Sequence, residues 1–218
     1  MPETTPDLPR RAASAFMSAD DETRIGRAIQ SAERKTSGEI VAVIAADSDS
    51  YLWAPILAAA LIALAAIAPL IVFTWINVHW IYLFQVLLFA GLAFVLSLVP
   101  LRYRLVPAPV KRERAHRRAV EQFLAQNLHT TSGRTGVLIF VSVAERYAEI
   151  LADSGVHKKV TPAVWQDIVT RLTAAIGDGR TGDGFVDAVS RCGAVLAEHF
   201  PPGAHDAHGL PDHLIVLG

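Results

Sequence analysis

Two kinds of hydrophobic periodicity occur along the chain, on either side of a long apolar segment. Residues 18–38 predict a helix with acidic residues in its first turn and Gly38 at its end. One face of this helix is apolar and consists of Ile25, Ala28, Ile29 and Ala32. The next run, EIVAVIAA, is short, apolar and rich in β-branched residues, which indicates a buried strand. The N-terminal part therefore predicts one amphipathic helix followed by one strand.

The C-terminal part predicts three more helices and two strands. In KRERAHRRAVEQFLAQNL, helical spacing gives a buried side formed by Val120, Phe123, Leu124 and Leu128. TGVLIFVSV is a second apolar strand, and YAEILAD is its partner in a hairpin. TPAVWQDIVTRLTAAIGDG predicts a helix with Thr161 as its N-cap, and DGFVDAVSRCGAVLAEHF predicts a last helix capped by Asp183.

The apolar segment between these parts has no Asp, Glu, Lys or Arg from Ser50 to Leu101. It contains two runs, 52–73 and 80–101, and a helix of that length spans about 33 Å, which matches a hydrocarbon core of about 30 Å. Aromatic residues lie near the ends of the runs, as at membrane interfaces: Tyr51, Trp53, Trp75, Trp80, Tyr82 and Tyr103. The alternative is a pair of buried core helices, but the uncharged length favours a transmembrane hairpin over residues 51–102.

The two parts outside this hairpin are each too small to bury their own strands. A membrane hairpin returns the chain to the side that it left, so both parts can complete one core. We therefore predict a flexible N-terminus over 1–19, the first part of an α/β domain over 20–50, the hairpin over 51–102 and the second part over 103–218. The predicted fold is a three-layer α/β sandwich with a small mixed sheet, interrupted by a two-helix transmembrane hairpin.

Charge changes the picture at one place only. The net charge of −1 provides no general attraction to nucleic acid, and we expect none to bind. Between Arg102 and Arg118 there are seven basic residues and one acidic residue, Glu113. A basic run can form a nucleic-acid arm, but its position beside the membrane favours anionic lipid as the partner. Because basic residues are retained on the cytoplasmic side, both termini and the α/β domain should be cytoplasmic.

The single cysteine and the histidines give weak signals for chemistry. Cys192 excludes an internal disulfide, and its helical spacing with Phe185, Val189 and Leu196 indicates core filling rather than a nucleophile. The C-terminal stretch has histidines and aspartates at short separations that can bind zinc, but no CxxC or HExxH pattern, so no metal site is predicted. These residues are His199, His205, Asp206, His208, Asp212 and His213.

Three residues around the strand hairpin are candidates for a cleft. TTSGRTG offers backbone amides and Arg134 to a phosphate or lipid head group, although it lacks the P-loop lysine and is first of all a turn. Arg146 and Asp153 flank the second strand of the hairpin. They can pair, line a cleft, or only satisfy backbone and solvent at the strand ends. No catalytic residue and no cofactor is predicted.

Four stretches of the chain carry a resemblance, namely TSGEIVAVIA, TSGRTGVLIFVSVAERYAEILADSGVHKKVTPAVW, GFVDAVSRCGAVLAEHFP and GLPDHLIVLG. Together, in order and position, they resemble the TPM domain family. The chain is most similar to the bacterial membrane branch, in which a transmembrane hairpin interrupts the domain. The resemblance implies an α/β sandwich in a bacterial inner membrane. Some family members bind calcium or show acid phosphatase activity, and others assist or tune membrane complexes.

The chain departs from the family where soluble members have a glycine-rich acidic stretch. Here that place reads ADSGVHKKVTP, and its one acidic residue, Asp153, precedes Lys158 and Lys159. Calcium takes six to eight oxygen ligands, which this stretch does not supply.

We therefore expect a non-catalytic accessory or interaction module that assists or regulates a membrane complex, with an unidentified membrane protein as partner. The alternative is a weak metal-dependent phosphatase acting through Asp153 or the histidine-rich tail. Small residues in LAAALIALAAIA permit helix packing within the hairpin or between protomers, so the oligomeric state stays open.

Overall fold

The structure is a computed structural model that describes residues 17–73, 77–98, 103–131, 133–203 and 214–217. Trp75, Arg102 and the tail residues His205, Asp206, His208, Asp212 and His213 lie outside the described residues. The chain divides into two compact units, one formed by residues 1–48 with 112–218 and one by residues 49–111. The helices and strands, in chain order, are α1 (Ala19–Glu33), β1 (Glu39–Ala45), α2 (Trp53–Phe73), α3 (Val78–Leu96), α4 (Ala108–Ala125), β2 (Gly136–Ser142), β3 (Tyr147–Ala152), α5 (Ser154–His157), α6 (Pro162–Gly177), α7 (Thr181–His199) and β4 (Ile215–Leu217).

The first unit is built on a four-stranded mixed sheet in the order β3-β2-β1-β4. β1 and β2 are parallel and pair from Glu39 with Gly136 to Ala45 with Ser142, so their carboxyl ends meet at one edge of the sheet. β3 runs antiparallel to β2, as the hairpin predicted. β4 pairs in parallel with β1 and was not predicted as a strand, although its sequence, IVL, is β-branched and apolar.

Helices cover both faces of this sheet, which gives the predicted α/β sandwich three layers. On one face, the alternate side chains Ile40, Ala42 and Ile44 of β1 pack in one core cluster with residues of α1, α6 and α7. On the other face, Val41 and Val43 pack with Ala119 of α4. β1 and β2 are buried at every position, because both of their faces are covered. The predicted core positions Ile25, Ile29 and Cys192 are buried, so these interpretations are confirmed.

Two details of the helix predictions were wrong. Val120 and Leu124 of α4 are 37% and 52% exposed, and the buried positions of this helix are Ala115, Ala119 and Gln122. Of the predicted side, Phe123 packs against the core cluster on this face and Leu128 is buried, so the prediction is confirmed for these two residues and wrong for Val120 and Leu124. Asp183 lies inside α7, which begins at Thr181 after Arg180 as its N-cap. Thr161 does hold the N-cap position of α6, with Pro162 as the first helical residue.

The second unit consists mainly of the apolar helices α2 and α3, which contact each other. Among the described residues, α3 is the helix that is long and apolar enough to cross a membrane, and the described side chains of α2 give a shorter apolar run, Trp53–Ile67. α2 buries Ala59 and Ala63, whereas α3 buries no residue. Large apolar side chains of both helices are exposed, including Ile56, Leu57, Leu61, Leu83, Phe84, Leu87 and Phe94.

Candidate functional site

A cavity of about 550 Å³ opens at the edge of the sheet where the parallel strands β1 and β2 end. Small-molecule sites commonly have volumes of about 300–1,000 Å³, and α/β folds bind ligands outside the carboxyl ends of their strands. Ile44, Val141 and Ser142 line the cavity from the sheet. We call this pocket the carboxyl-edge cavity. It lies wholly within the first unit, because its other walls are the β2–β3 turn and the segment between α6 and α7.

A group of polar side chains fixes the turn between β2 and β3. The Ser142 hydroxyl donates to Glu145 and accepts a hydrogen bond from the Ser48 hydroxyl at 2.9 Å. The Ser48 N–H donates to the other carboxylate oxygen of Glu145 at 3.0 Å. These bonds join the segment after β1 to the turn after β2. The Glu145 carboxylate is thereby occupied by neighbouring groups beside the cavity.

Arg146 ends this turn and lines the carboxyl-edge cavity. Its backbone has a φ of 51°, in the left-handed region that few residues other than glycine adopt, and its N–H donates to the Val143 carbonyl at 3.1 Å. The Arg146 guanidinium has no hydrogen bond or ion pair with any residue that the structure describes. Next to it, burial and the adjacent Glu149 carboxylate raise the pKa of Tyr147 above its usual range.

The opposite wall comes from the end of α6 and the start of α7. Gly177 and Gly179 line the cavity there, and Gly179 has a φ of 76°, which suits glycine in the tight link between the two helices. Arg180 follows, but its guanidinium pairs with Asp178 at 2.8 Å. Thr173 and Thr181 add hydroxyl groups to the lining.

The other two predicted residues lie at the opposite edge of the sheet. Asp153 directly follows β3 and is 8% exposed, and one of its carboxylate oxygens accepts a hydrogen bond from the Ser154 N–H at 2.6 Å. Its second oxygen, Oδ2, has no hydrogen-bond partner among the described residues and lies 3.9 Å from Nη1 of Arg134. The Asp153 N–H donates to the Gly136 carbonyl at 2.9 Å, which brings the end of β3 against the start of β2.

The structure thus separates the three cleft candidates. Arg134 and Asp153 come together as an ion pair at one end of the hairpin, and Arg146 lines the cavity at the other. β3 has six residues between Arg146 and Asp153, or about 20 Å of extended chain. The pairing of Asp153 with Arg146 that the sequence left open is therefore not formed. Sequence reasoning missed Ser142, Glu145 and the cavity itself.

Comparison with known proteins gives matches at two levels. Residues 105–195 match the family model of the TPM domain. The TPM domain match covers β2, β3, α6 and most of α7, but not β1. The structure is also similar to the NMR structure of the BA42 protein from the psychrophilic bacterium Bizionia argentinensis sp. nov., with a TM-score of 0.57 and 20% sequence identity over 92% of this chain and 94% of that chain. This similarity shows a shared fold. No match was found among curated proteins.

The calcium site that the TPM resemblance implies for some members does not fit the residues around Asp153. Calcium takes six to eight oxygen ligands, several of them carboxylates. Oδ2 of Asp153 faces the guanidinium of Arg134 at 3.9 Å, and a cation beside a bound calcium ion is repelled by it. Within the described part of the chain, no three His, Cys, Asp or Glu side chains form a group that can hold a metal ion.

Proposed function

We propose that this protein is a membrane-anchored TPM-domain protein whose α/β unit acts as a non-catalytic accessory or interaction module for a membrane complex. The observation that carries the proposal is the outward direction of the large apolar side chains on α2 and α3. Leu87, at the middle of α3, is 63% exposed, and the whole helix buries no residue. In water such a surface would associate or aggregate, whereas in a bilayer it faces lipid.

Sheet topology supports two membrane crossings rather than one. β1 precedes the apolar helices and β2 follows them, yet these strands pair directly along their whole length. A single crossing would leave the two strands on opposite sides of the membrane. If α3 crosses, α2 must therefore cross in the other direction, and the hairpin over 51–102 then interrupts one α/β domain made of the parts at 20–50 and 103–218.

Basic residues after the hairpin support a cytoplasmic α/β unit. The basic residues after the predicted hairpin lie within about 20 residues of its end, and the link between α2 and α3 has no basic residue. They include Lys111, Arg112, Arg114, Arg117 and Arg118. Basic residues near membrane spans are retained in the cytoplasm and attract anionic lipid, at about 1 kcal/mol for each residue near the surface. We place the protein in a bacterial inner membrane with both termini inside.

Membrane integration can be tested with two matched substitutions to arginine. Alkaline carbonate extraction should leave the wild-type chain in the membrane pellet. Leu87→Arg should release a large fraction, because an arginine at the centre of a span costs about 2.5–3.5 kcal/mol. Leu124→Arg, on the exposed face of α4 in the first unit, should stay in the pellet. Release of the wild-type chain by carbonate would contradict the proposal.

Orientation and partnership need separate measurements. A cysteine at Asn77, in the link, should react with an impermeant maleimide added to intact cells, and a cysteine at Glu121 on α4 should react only after lysis. Labelling at Glu121 instead would place the domain outside. Cross-linking in intact membranes followed by purification should then give a defined membrane protein with the wild-type chain and not with Leu87→Arg.

One observation favours a second candidate function, metal-dependent hydrolysis of phosphate esters at Asp153. Oδ2 of Asp153 is a buried carboxylate oxygen without a hydrogen-bond partner in the described structure, and such atoms often have a functional reason. This candidate requires turnover of p-nitrophenyl phosphate that depends on a divalent cation and is lost in Asp153→Asn. The accessory function requires equal, background rates for the wild type and this variant.

A further inference from the structure

The carboxyl-edge cavity combines a positive charge with a lining that is more apolar than polar. Of the described residues that line it, Arg146 is the one with a charge, and the other side chains are uncharged. The apolar part comes from both the sheet and the helix wall, namely Ile44, Val141, Val143, Ala148 and Ile176. A ligand complementary to this cavity has an apolar body and a single negative charge.

The charge of Arg146 is available to such a ligand. Glu145, the nearest acidic residue in the sequence, already binds Ser48 and Ser142. The Arg146 guanidinium itself has no partner among the described residues. A planar guanidinium can bind a carboxylate through two parallel hydrogen bonds, which a single ammonium or hydroxyl group cannot do.

We propose that the carboxyl-edge cavity binds a small organic anion with one carboxylate and an apolar body, and that Arg146 holds the carboxylate. The one guanidinium balances one negative charge, and the apolar lining receives the rest of the ligand. An inorganic anion would leave that lining in contact with water. The inference does not depend on membrane anchoring, because every residue of the cavity lies in the first unit.

Binding can be measured by calorimetry on the full-length chain in lipid nanodiscs, with empty nanodiscs as the blank. Benzoate is the probe, because it joins a carboxylate to a compact apolar ring. Benzamide has the same shape without the charge, and acetate has the charge without the ring. We expect saturable binding of benzoate and at least about tenfold weaker binding of both analogues, which corresponds to one step of 1.4 kcal/mol. Equal affinity for acetate, or no binding of benzoate, would overturn the proposal.

Three variants locate the probe. Arg146→Gln should weaken benzoate binding about tenfold or more and leave the weak binding of benzamide unchanged. Gly177→Leu should also weaken binding, since Gly177 lines the cavity and a Cβ there meets no atom within 4 Å, so a larger side chain has room to enter the ligand's space. Arg171→Gln is the control, because Arg171 belongs to an exposed ion pair with Asp167 on α6 and should have no effect. If Arg146→Gln does not fold, Gly177→Leu decides alone. Wild-type affinity in either correctly folded cavity variant would disprove the assignment.

Discussion

Gly193 of α7 packs directly against Ala32 of α1. A Cβ at position 193 would lie 2.5 Å from the Cβ of Ala32 and 3.2 Å from its Cα, closer than carbon atoms pack in proteins. Ala32 belongs to the core cluster on one side of the sheet, and Gly193 is buried in α7. The absence of a side chain at 193 therefore sets how closely α1 and α7 approach.

Gly193→Ala should destabilise the α/β unit in spite of the better helix propensity of alanine. Overpacking of a tight core contact costs about 1–3 kcal/mol, more than the roughly 1 kcal/mol that alanine gains over glycine in a helix. Gly177→Ala is the matched control, because a Cβ at Gly177 meets nothing within 4 Å, and it should be neutral or stabilising. Urea unfolding of both variants, followed by circular dichroism, measures the difference. Equal stability of the two variants would show that α1 and α7 separate without cost.

Asp153 should contribute more than its ion-pair partner Arg134 to the free energy of unfolding. Asp153→Ala removes the N-cap acceptor of Ser154, and loss of such a cap costs about 0.5–2 kcal/mol. Arg134→Ala removes a side chain that is 59% exposed, and exposed ion pairs contribute about 0–1 kcal/mol. Asp153→Asn keeps an acceptor and should lie between the two. If Arg134→Ala is the more destabilising change in chemical denaturation, the ion pair and not the cap secures this end of the hairpin.

Calcium should not change the stability of the wild-type chain. A ligand raises stability only when it binds the folded state more tightly than the unfolded state, and the surroundings of Asp153 supply too few oxygen ligands for tight binding. We expect the same midpoint of thermal unfolding in millimolar calcium and in excess EGTA. Magnesium at the same concentration controls for ionic strength. A rise specific to calcium would show that residues outside the described part of the chain complete a site.

Local patterns in the sequence were sufficient for some features and not for others. Burial of both faces made β1 and β2 visible as continuous apolar runs. The sequence left open a pair of Asp153 with Arg146, whereas the antiparallel register of β2 and β3 brings Asp153 to Arg134 instead. The face of α4 was partly misread because its buried positions are two alanines and a glutamine, Ala115, Ala119 and Gln122, rather than large apolar residues. The carboxyl-edge cavity had no local signal, since its walls are three segments distant in sequence that tertiary packing brings together.

Cys192 should be unreactive in the folded protein. Burial in α7 raises the pKa of its thiol to about 12, so the nucleophilic thiolate is almost absent at neutral pH. A maleimide should label the wild-type chain only under denaturing conditions, with a rate that follows unfolding. A cysteine at Glu121 in the same chain gives the reference rate for an exposed thiol. Rapid labelling of Cys192 at native conditions would require that α7 opens locally.

Tyr147 should make the α/β unit less stable at alkaline pH. Its hydroxyl donates to Glu149 at 2.9 Å, and partial burial together with the Glu149 carboxylate raises its pKa above the usual value of about 10. Below that value both the folded and the unfolded chain keep the proton, so the full stabilisation is present. Above it the unfolded chain loses the proton first, and the free energy of unfolding falls as pH rises toward the folded-state pKa.

Tyr147→Phe removes this group but leaves the other tyrosines and the lysines. The wild type should therefore lose its advantage in free energy of unfolding over Tyr147→Phe between pH 9 and pH 11. The measurement is urea unfolding at several pH values, and parallel stability curves for wild type and Tyr147→Phe would show that the phenol ionises equally in both states.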